Sequence, residues 1–193
     1  MIDCFSQKSM DFKKKGSDVF IDKRAYFKYP ELVEIGSHCA FDNGLHITTR
    51  GLFGSYIHIG PYVSIIGGSD SLLVAKDFST IATGARIICM GEAHLGNGLV
   101  GPTIPKEYKD DMVGGTTVLE RFSNVLTNAV ILPGITVGEG AVIGAGAVLG
   151  SNAEPWSIYL GNPARKVKNR NKEAMIQYAK KLISQKDSLV GQI

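Results

Sequence analysis

The sequence has no long hydrophobic run and few cysteines. No 18 consecutive apolar residues occur in its 193 residues, so we expect no segment that spans a membrane. The first residues, MIDCFSQKSMDFKKKGSD, contain no apolar run that could act as a signal peptide. The three cysteines, Cys4, Cys39 and Cys89, have no metal-type spacing and predict free thiols in a reducing cytosol. These absences predict a cytoplasmic protein with no metal site.

The sequence also has little net charge of either sign. Its formal net charge is +3, which is too small to indicate a nucleic-acid partner unless the charge is clustered. Hydrophobic residues make up 44% and charged residues 20% of the chain, as in an ordinary globular protein. The length suits one domain with a sizeable core.

Glycine, by contrast, is abundant, with 23 of 193 residues against an average usage of about 7%. Over residues 119–154 an aliphatic residue opens every block of six, and a small or branched residue stands fifth. The rule also holds over residues 35–70, where Ile or Phe opens each block. It slips by four residues, resumes over residues 75–92, and is absent over residues 93–118.

A six-residue period fits neither an α-helix nor a single strand, whose side-chain periods are about 3.6 and 2. It fits a chain that coils around a triangular prism, with one short strand and one corner in each block. Residue i then stacks on residue i+18, and the coils bury their faces only against each other, as in a β-helix. Fifteen blocks predict about five coils, on the order of 24 Å tall. An antiparallel sandwich of short strands would explain no six-residue register.

The spacing divides the chain into three parts. Residues 1–34 are predicted to form an N-terminal cap with a short strand at Val19–Ile21. Residues 35–160 form the β-helix, and the aperiodic residues 93–118 form an inserted, extruded loop. Residues 161–193 form a basic segment followed by an amphipathic α-helix over residues 172–185, where apolar residues recur at helical spacing.

One stretch of the repeat and the stretch that follows it carry a family resemblance. The runs ILPGITVGEGAVIGAGAVL and EPWSIYLGNPARKVKNR resemble the hexapeptide-repeat acyltransferases, in particular their sugar and xenobiotic O- or N-acetyltransferase branch. The GNPA motif at residues 161–164 is the more discriminating part. The resemblance implies an all-β fold, a left-handed parallel β-helix with an extruded loop and a short C-terminal α-helix. The left hand comes from the family alone, since it runs against the usual right-handed crossover.

The same resemblance implies a function. It implies a homotrimer in which acetyl-CoA lies between neighbouring prisms and its acetyl group passes to a hydroxyl or amine of a sugar. A nucleotide-linked amino sugar for surface polysaccharide or lipopolysaccharide O-antigen synthesis is the preferred acceptor. One alternative is a non-catalytic or metal-dependent β-helix, such as a carbonic-anhydrase-like protein, in which His38, His46 and His58 meet across subunits. Transfer from acyl carrier protein is a further alternative, which the short chain and the basic tail disfavour.

The catalytic base has two candidates. Members of the family carry the base on the loop that interrupts the repeat, which here implies His94 at the start of the loop. An imidazole with an unperturbed pKa of about 6.5 can accept a proton at neutral pH. This chain departs from relatives that have acidic residues at this point. The second candidate is His58, which stands sixth in its block and is therefore expected at an outward corner.

The coenzyme is expected along one edge of the prism. Thr127 and Ala145 are 18 residues apart and should stack, and with Gly146 they leave backbone groups open. In the family this edge holds the pantetheine arm, and Arg165 and Lys168 match the positions that bind the phosphates of CoA. This chain lacks the indole that the family often has near residue 124 and the Thr-Lys pair near residues 150–151.

Overall fold

The protein folds as a parallel β-helix, a chain wound around a triangular prism. The computed structural model describes residues 10–190, with side chains through residue 184. Cys4 and the rest of the first nine residues of the predicted cap lie outside the described residues. Cys39 and Cys89 are buried free cysteines, as predicted.

Short strands form three faces, which each turn of the chain visits in the order first, second, third. The first face consists of β1 (Lys14–Lys15), β4 (Val33–Ile35), β7 (Arg50–Phe53), β10 (Leu72–Ala75), β15 (Thr116–Leu119) and β18 (Thr136–Val137). The second face consists of β2 (Val19–Ile21), β5 (Cys39–Phe41), β8 (His58–Ile59), β11 (Thr80–Ile81), β16 (Asn124–Val125), β19 (Val142–Ile143), β21 (Ser157–Leu160) and β22 (Arg165–Asn169). The third face consists of β3 (Tyr26–Phe27), β6 (His46–Ile47), β9 (Ser64–Ile66), β12 (Arg86–Ile88), β17 (Val130–Ile131) and β20 (Val148–Leu149).

The residue that opens each six-residue block points into the prism, as the spacing predicted. The openers between residues 35 and 65 that are at most 1% exposed are Ile35, Phe41, Ile47, Ile59 and Ile65. Small residues at the fifth place fill the corners, and the fully buried alanines among them are Ala129, Ala141 and Ala147. Complete burial of an aliphatic side chain contributes roughly 1.5–3 kcal/mol, so the inward side chains of the three faces are the main source of stability.

The strand registers confirm the predicted stacking and locate its interruptions. Leu52 pairs with Glu34 of the preceding turn, and the two residues stand at the regular i, i+18 spacing. Leu52 also pairs with Val74 of the following turn, which is longer because the corner at residues 67–70 adds to it. Val74 in turn pairs with Val118, so a long insertion leaves the prism between these two residues.

The insertion includes an antiparallel hairpin of β13 (Met90–Glu92) and β14 (Met112–Gly114). The hairpin leaves the corner between the third and the first face. The extruded loop proper is residues 93–111, with one 3-10 turn at Lys106–Tyr108. The whole insertion, with its hairpin, ends before the predicted residue 118, because Thr116–Leu119 already pair in the first face as β15.

The regular turns begin before residue 35, where the spacing placed the start of the prism. Strands β1–β3 pair in parallel with β4–β6, so the faces hold six turns instead of about five. The first turn keeps the six-residue spacing through Lys15, Ile21 and Phe27, but a lysine stands where the rule expects an aliphatic residue. The 3-10 turn Pro30–Leu32 then adds two residues before Ile35. Both departures conceal this turn from the spacing rule.

An aromatic stack runs along the corner between the first and the second face. The ring centroids of Tyr56 and Phe78 are 4.8 Å apart, and those of Phe78 and Phe122 are 5.2 Å apart. Trp156 follows Phe122 at 5.9 Å. All four residues have a left-handed backbone, with φ between 54° and 62°. Bulky residues disfavour this conformation, so the contacts between their rings must offset its cost.

The chain ends with the antiparallel strand β22 and the helix α1 (Glu173–Val190). The helix is longer than the predicted 172–185. Ala179 is its buried residue among those whose side chains are described. Within residues 10–190, no helix is long and apolar enough to cross a membrane.

Candidate active site

His94 lies at the start of the extruded loop, two residues after the end of β13, and the residue is exposed. Its backbone is left-handed, with φ of +55°, so the chain turns sharply at the residue that carries the imidazole. Among the described residues we find no hydrogen bond to the ring. The exposure of the residue leaves its ring nitrogens accessible from outside the chain.

Two carboxylates shape the loop around His94. Asp110 is 4% exposed and accepts hydrogen bonds from the backbone N–H groups of Leu95 (2.9 Å) and Gly96 (3.3 Å). It also accepts the N–H of the next residue at 2.8 Å. These backbone hydrogen bonds, led by that of the next residue, hold the pKa of Asp110 below its usual value. Glu92 accepts the N–H of Gly101 with both oxygens, at 2.8 and 3.0 Å.

His58 lies on the outer side of the second face, as its block position predicted, and is exposed. Its Nε2 is 2.9 Å from Oδ2 of Asp42, which belongs to the preceding turn. The pair has the arrangement of an imidazole oriented by a carboxylate. Spacing could have revealed Asp42, since it stands slightly less than one regular turn before His58 in the sequence.

Thr127, Ala145 and Gly146 are exposed at the corner between the second and the third face. The N–H of Gly146 donates to the carbonyl oxygen of Thr127 at 2.9 Å, so the two turns stack as their 18-residue spacing predicted. The same column continues to Thr83, whose carbonyl oxygen accepts the N–H of Asn128 at 3.0 Å. Small side chains and backbone atoms are therefore exposed along this corner.

Arg165 and Lys168 lie on β22, and a bulge places them on one side of the sheet. Lys168 pairs with Ile158 and Arg165 pairs with Leu160, with a register shift between these pairs. Directly paired residues share a side of a sheet, so both cations lie on the outer side, with Ile158 and Leu160. Without the bulge, residues three apart would point in opposite directions.

Lys166 takes no part in this cationic surface. It pairs with Tyr159, which is 7% exposed and therefore lies on the inner side. Its Nζ forms an ion pair with Glu154 at 2.6 Å. Arg170 is also diverted, because its Nη1 donates to the carbonyl oxygens of Phe122 and Gly140. Lys166 and Arg170 are thus engaged by the protein itself, and Nη1 of Arg165 donates to the carbonyl oxygen of Ala164 at 3.1 Å.

The second face joins several of the predicted residues in one row. Strand pairing connects His58 through the outward residues of successive strands to Lys168, in the order His58, Thr80, Asn124, Val142, Ile158, Lys168. Thr127 and Ala145 border this face at its corner. His94 does not join them within one chain, because its loop leaves a different corner of the prism.

The other histidines are separate from one another. His38 lies 2.6 Å from Asp18 through Nδ1, and the ring of His46 stacks on Tyr26 at 4.8 Å. These residues and His58 lie on three different rows of the prism. In the described part of the chain, no group of three or more His, Cys, Asp or Glu residues could hold a metal ion.

Comparison with known proteins agrees with this architecture. The family profile of the bacterial transferase hexapeptide (six repeats) matches residues 116–151. A dTDP-4-amino-4,6-dideoxy-D-glucose acyltransferase from Escherichia coli is 29% identical over 178 residues, which are 90% of this chain and 91% of the relative. A probable macrolide acetyltransferase from Lysinibacillus sphaericus is 33% identical over 142 residues, 66% of this chain and 74% of the relative.

A solved structure extends the similarity to three dimensions. The crystal structure of AntD, an N-acyltransferase from Bacillus cereus in complex with dTDP and 3-hydroxybutyryl-CoA, superposes with a TM-score of 0.86 at 28% identity. The match covers 91% of this chain and 92% of that chain. These relatives are acyltransferases, which decides against the non-catalytic or carbonic-anhydrase-like alternative. The chain belongs to the bacterial hexapeptide-repeat transferases, and it is an acyltransferase built on a left-handed parallel β-helix.

Proposed function

We propose that this protein transfers an acyl group to the amino group of a nucleotide-linked amino sugar. The proposed donor is acetyl-CoA. One observation carries the proposal: the relatives that match about nine-tenths of both chains are the E. coli dTDP-amino-sugar acyltransferase and AntD. The macrolide acetyltransferase matches a smaller share of the chain. AntD was solved with an acyl-CoA, which favours a coenzyme A thioester over a carrier protein as the donor.

The coenzyme would lie along the second face and its corner with the third. Its phosphates would meet Arg165 and Lys168, which are exposed, share one side of β22 and are not engaged in ion pairs among the described residues. Its pantetheine arm would run along Thr127, Ala145 and Gly146, where backbone groups are not hidden by large side chains. The acyl thioester would then lie nearer to the turns that precede them.

The active site would be completed by a neighbouring subunit in a homotrimer. The loop that carries His94 leaves the prism at a different corner from the coenzyme edge. Within a single chain, the base and the thioester would therefore be far apart. The hairpin and loop also expose many apolar side chains, namely Leu95, Leu99, Val100, Tyr108, Met112 and Val113. Exposed apolar side chains concentrated in one segment are typical of a surface that packs against another chain, and here a second copy would receive them.

The chemistry is a direct acyl transfer. The amine of the sugar attacks the thioester carbonyl carbon, while Nε2 or Nδ1 of His94 accepts the proton that the nitrogen loses. Collapse of the tetrahedral intermediate breaks the C–S bond and releases CoA thiolate, which takes up the proton. His58, oriented by Asp42, is the second candidate for the base. Neither histidine needs a metal or another cofactor for this step.

The biological role follows from the acceptor. Acylated nucleotide sugars are building blocks for surface polysaccharide or lipopolysaccharide O-antigen, and we propose this pathway as the use of the product. Acyl-CoA and nucleotide sugars are both found in the cytoplasm, so we place the enzyme there.

The test is an assay of thiol release with acetyl-CoA and with 3-hydroxybutyryl-CoA as donors. The acceptor panel comprises dTDP-4-amino-4,6-dideoxyglucose, other nucleotide-linked amino sugars, simple glycosides and chloramphenicol. We expect release with a nucleotide-linked amino sugar, and mass spectrometry should find one acyl group on its nitrogen. Turnover confined to the antibiotic or to simple glycosides would refute the proposed acceptor.

A further inference from the structure

We infer that Asp110 is a positioning residue for acyl transfer, because its carboxylate fixes the turn that directs the imidazole of His94. The inference rests on the proposed function, in which His94 is the general base. Asp110 does not touch the reacting atoms. It acts through the backbone of the residues that follow His94.

The carboxylate of Asp110 is buried. Asp110 is 4% exposed although it belongs to an extruded loop, whereas the neighbouring Asp111 is exposed. A buried carboxylate is costly unless its oxygens accept hydrogen bonds. Oδ2 accepts the N–H groups of Leu95 and Gly96, and Oδ1 accepts that of Asp111. The site therefore requires an acceptor with two oxygens at this position.

The N–H groups that Oδ2 of Asp110 accepts lie immediately after His94 in the chain. Leu95 and Gly96 are the two residues directly after His94, whose φ of +55° is uncommon for a residue with a side chain. Anchoring both N–H groups on one oxygen fixes the peptide planes on the C-terminal side of His94. Without that anchor the backbone is free to return to negative φ, and the imidazole would move with it.

Asp110 is itself held in place by the backbone of the loop. The N–H of Asp110 donates to the carbonyl oxygen of Leu99 at 3.0 Å, and the N–H of Leu99 donates to that of Tyr108 at 2.8 Å. Gly98 lies so close that a methyl group on it would be 2.5 Å from the backbone nitrogen of Asp110. The carboxylate is thus held by a paired frame inside the loop.

The primary test is Asp110→Asn, which keeps the size but turns one acceptor oxygen into an NH₂ donor facing an N–H group. A displacement of a catalytic group by about 1 Å can cost up to about 100-fold, so we expect kcat to fall by about 10- to 100-fold. KM for acyl-CoA should stay unchanged, because the coenzyme binds at another corner. Asp111→Asn is the matched control, and it should retain wild-type kcat.

A double-mutant cycle separates positioning from general support of the structure. If Asp110 acts only through His94, the double variant D110N/H94N should be no slower than H94N alone. A residue that merely supports the fold would instead add its own loss to that of H94N. Thermal unfolding and CoA binding of each variant show whether the protein is folded.

The outcomes are distinct. Wild-type activity of H94N would overturn the base assignment and this inference together. An impaired H94N with a fully active D110N would overturn this inference alone, and so would losses that multiply in the double variant. If D110N does not fold, Gly98→Ala takes its place, since it disturbs the frame and leaves the carboxylate intact. Full activity of a folded G98A would then overturn the inference. The inference would be supported if G98A lowers kcat without changing KM, and if G98A/H94N is no slower than H94N alone.

Discussion

The indole of Trp156 occupies the space that a side chain at Gly140 would need. A methyl group on Gly140 would lie 2.3 Å from the ring, and the φ of Gly140 is +65°. The missing side chain allows Trp156 to reach Phe122 and continue the aromatic stack. Arg170 donates to the carbonyl oxygens of Phe122 (3.1 Å) and Gly140 (3.0 Å), so the end of the basic strand β22 is attached at the same corner.

Gly140→Ala should therefore destabilise the protein and weaken CoA binding. Strained φ and steric overlap together should lower the free energy of unfolding by about 2–3 kcal/mol, measured by thermal unfolding. Gly146→Ala is the matched control for stability, because Gly146 has φ of +67° but no described atom lies within 4 Å of an added methyl group. It should cost about 1 kcal/mol. Equal losses in the two variants would contradict the role given to Trp156.

Changing Arg165 and Lys168 together to Ala should weaken CoA binding. Partly exposed phosphate pairs contribute roughly 1 kcal/mol each, so the dissociation constant from calorimetry should rise about tenfold or more. Wild-type affinity should also fall with rising salt, since exposed charges are screened. Dephospho-CoA should respond less if the lost partner is the 3′-phosphate.

The control for this prediction is Lys166→Ala, which removes an adjacent cation of the same strand. Lys166 lies on the other side of β22 and pairs with Glu154, so its loss should leave CoA affinity near wild type. If K166A weakens CoA binding as much as the double change does, the side of β22 on which a cation lies does not determine its contribution. CoA affinity would then depend only on the total positive charge of the strand.

Cys89 should make the protein less stable at alkaline pH. The thiol is fully buried, and burial raises its pKa from 9.0 to about 11, while hydrogen bonds with Thr117 and Thr49 partly oppose this rise. Its contribution is present below pH 9, where both states are protonated. It is lost between pH 9 and about 11, where only the unfolded chain ionises. The loss amounts to at most about 3 kcal/mol.

The measurement is the free energy of unfolding at several pH values for wild type and Cys89→Ala. The variant starts lower at neutral pH because it loses buried sulfur, but its stability should fall less steeply above pH 9. Parallel curves for the two proteins would show that the Cys89 thiol ionises as readily when folded as when unfolded.

Much of the fold could be predicted because the six-residue period corresponds directly to one strand and one corner of the prism. The inward openers and the 18-residue stack follow from a period that no helix or single strand shares. The first turn was missed because Lys15 replaces an aliphatic opener and Pro30–Leu32 shifts the register. The aromatic stack was missed because Tyr56, Phe78 and Phe122 stand outside the apolar positions that the rule follows.

The candidate site was predictable only where it depends on stacking. The pairing of Thr127 with Ala145 follows from spacing, and so does the outward direction of His58. Arg165 and Lys168 lie on the same side of β22 because of a bulge, and no pattern in the sequence predicts that bulge. Asp110 could not be found either, since its partners are backbone N–H groups of an aperiodic loop.

The protein should sediment as a trimer, with sites that combine two chains. Co-expression of H94N with the R165A/K168A variant tests this directly at low acyl-CoA, where each variant alone is impaired. In a mixed trimer, one interface combines an intact His94 with intact cations, so activity should reappear. An active monomer, or mixed trimers without recovered activity, would rule out shared sites.

His94→Asn should lower kcat by about 10²- to 10⁴-fold and leave CoA affinity unchanged, if His94 is the general base. Asn keeps most of the size and some hydrogen bonding but accepts no proton at neutral pH. The size of the loss also reports on the acceptor. A hydroxyl has a very high pKa and needs its proton removed during attack, whereas an amine is nucleophilic once water has deprotonated it. An N-acyltransferase should therefore lie at the small end of the range.

The parallel variant His58→Asn decides between the two histidines. His58 is exposed on the second face with Asp42 at 2.9 Å, so the pair could serve as a base without any contribution from the loop. We expect H58N to retain most of its kcat, with at most a change in KM, because His58 lies on the face that would receive the coenzyme. A collapse of turnover in H58N, with H94N near wild type, would move the base to the second face. Asp42→Asn should then lower kcat as well, because it would leave the imidazole without its orienting carboxylate.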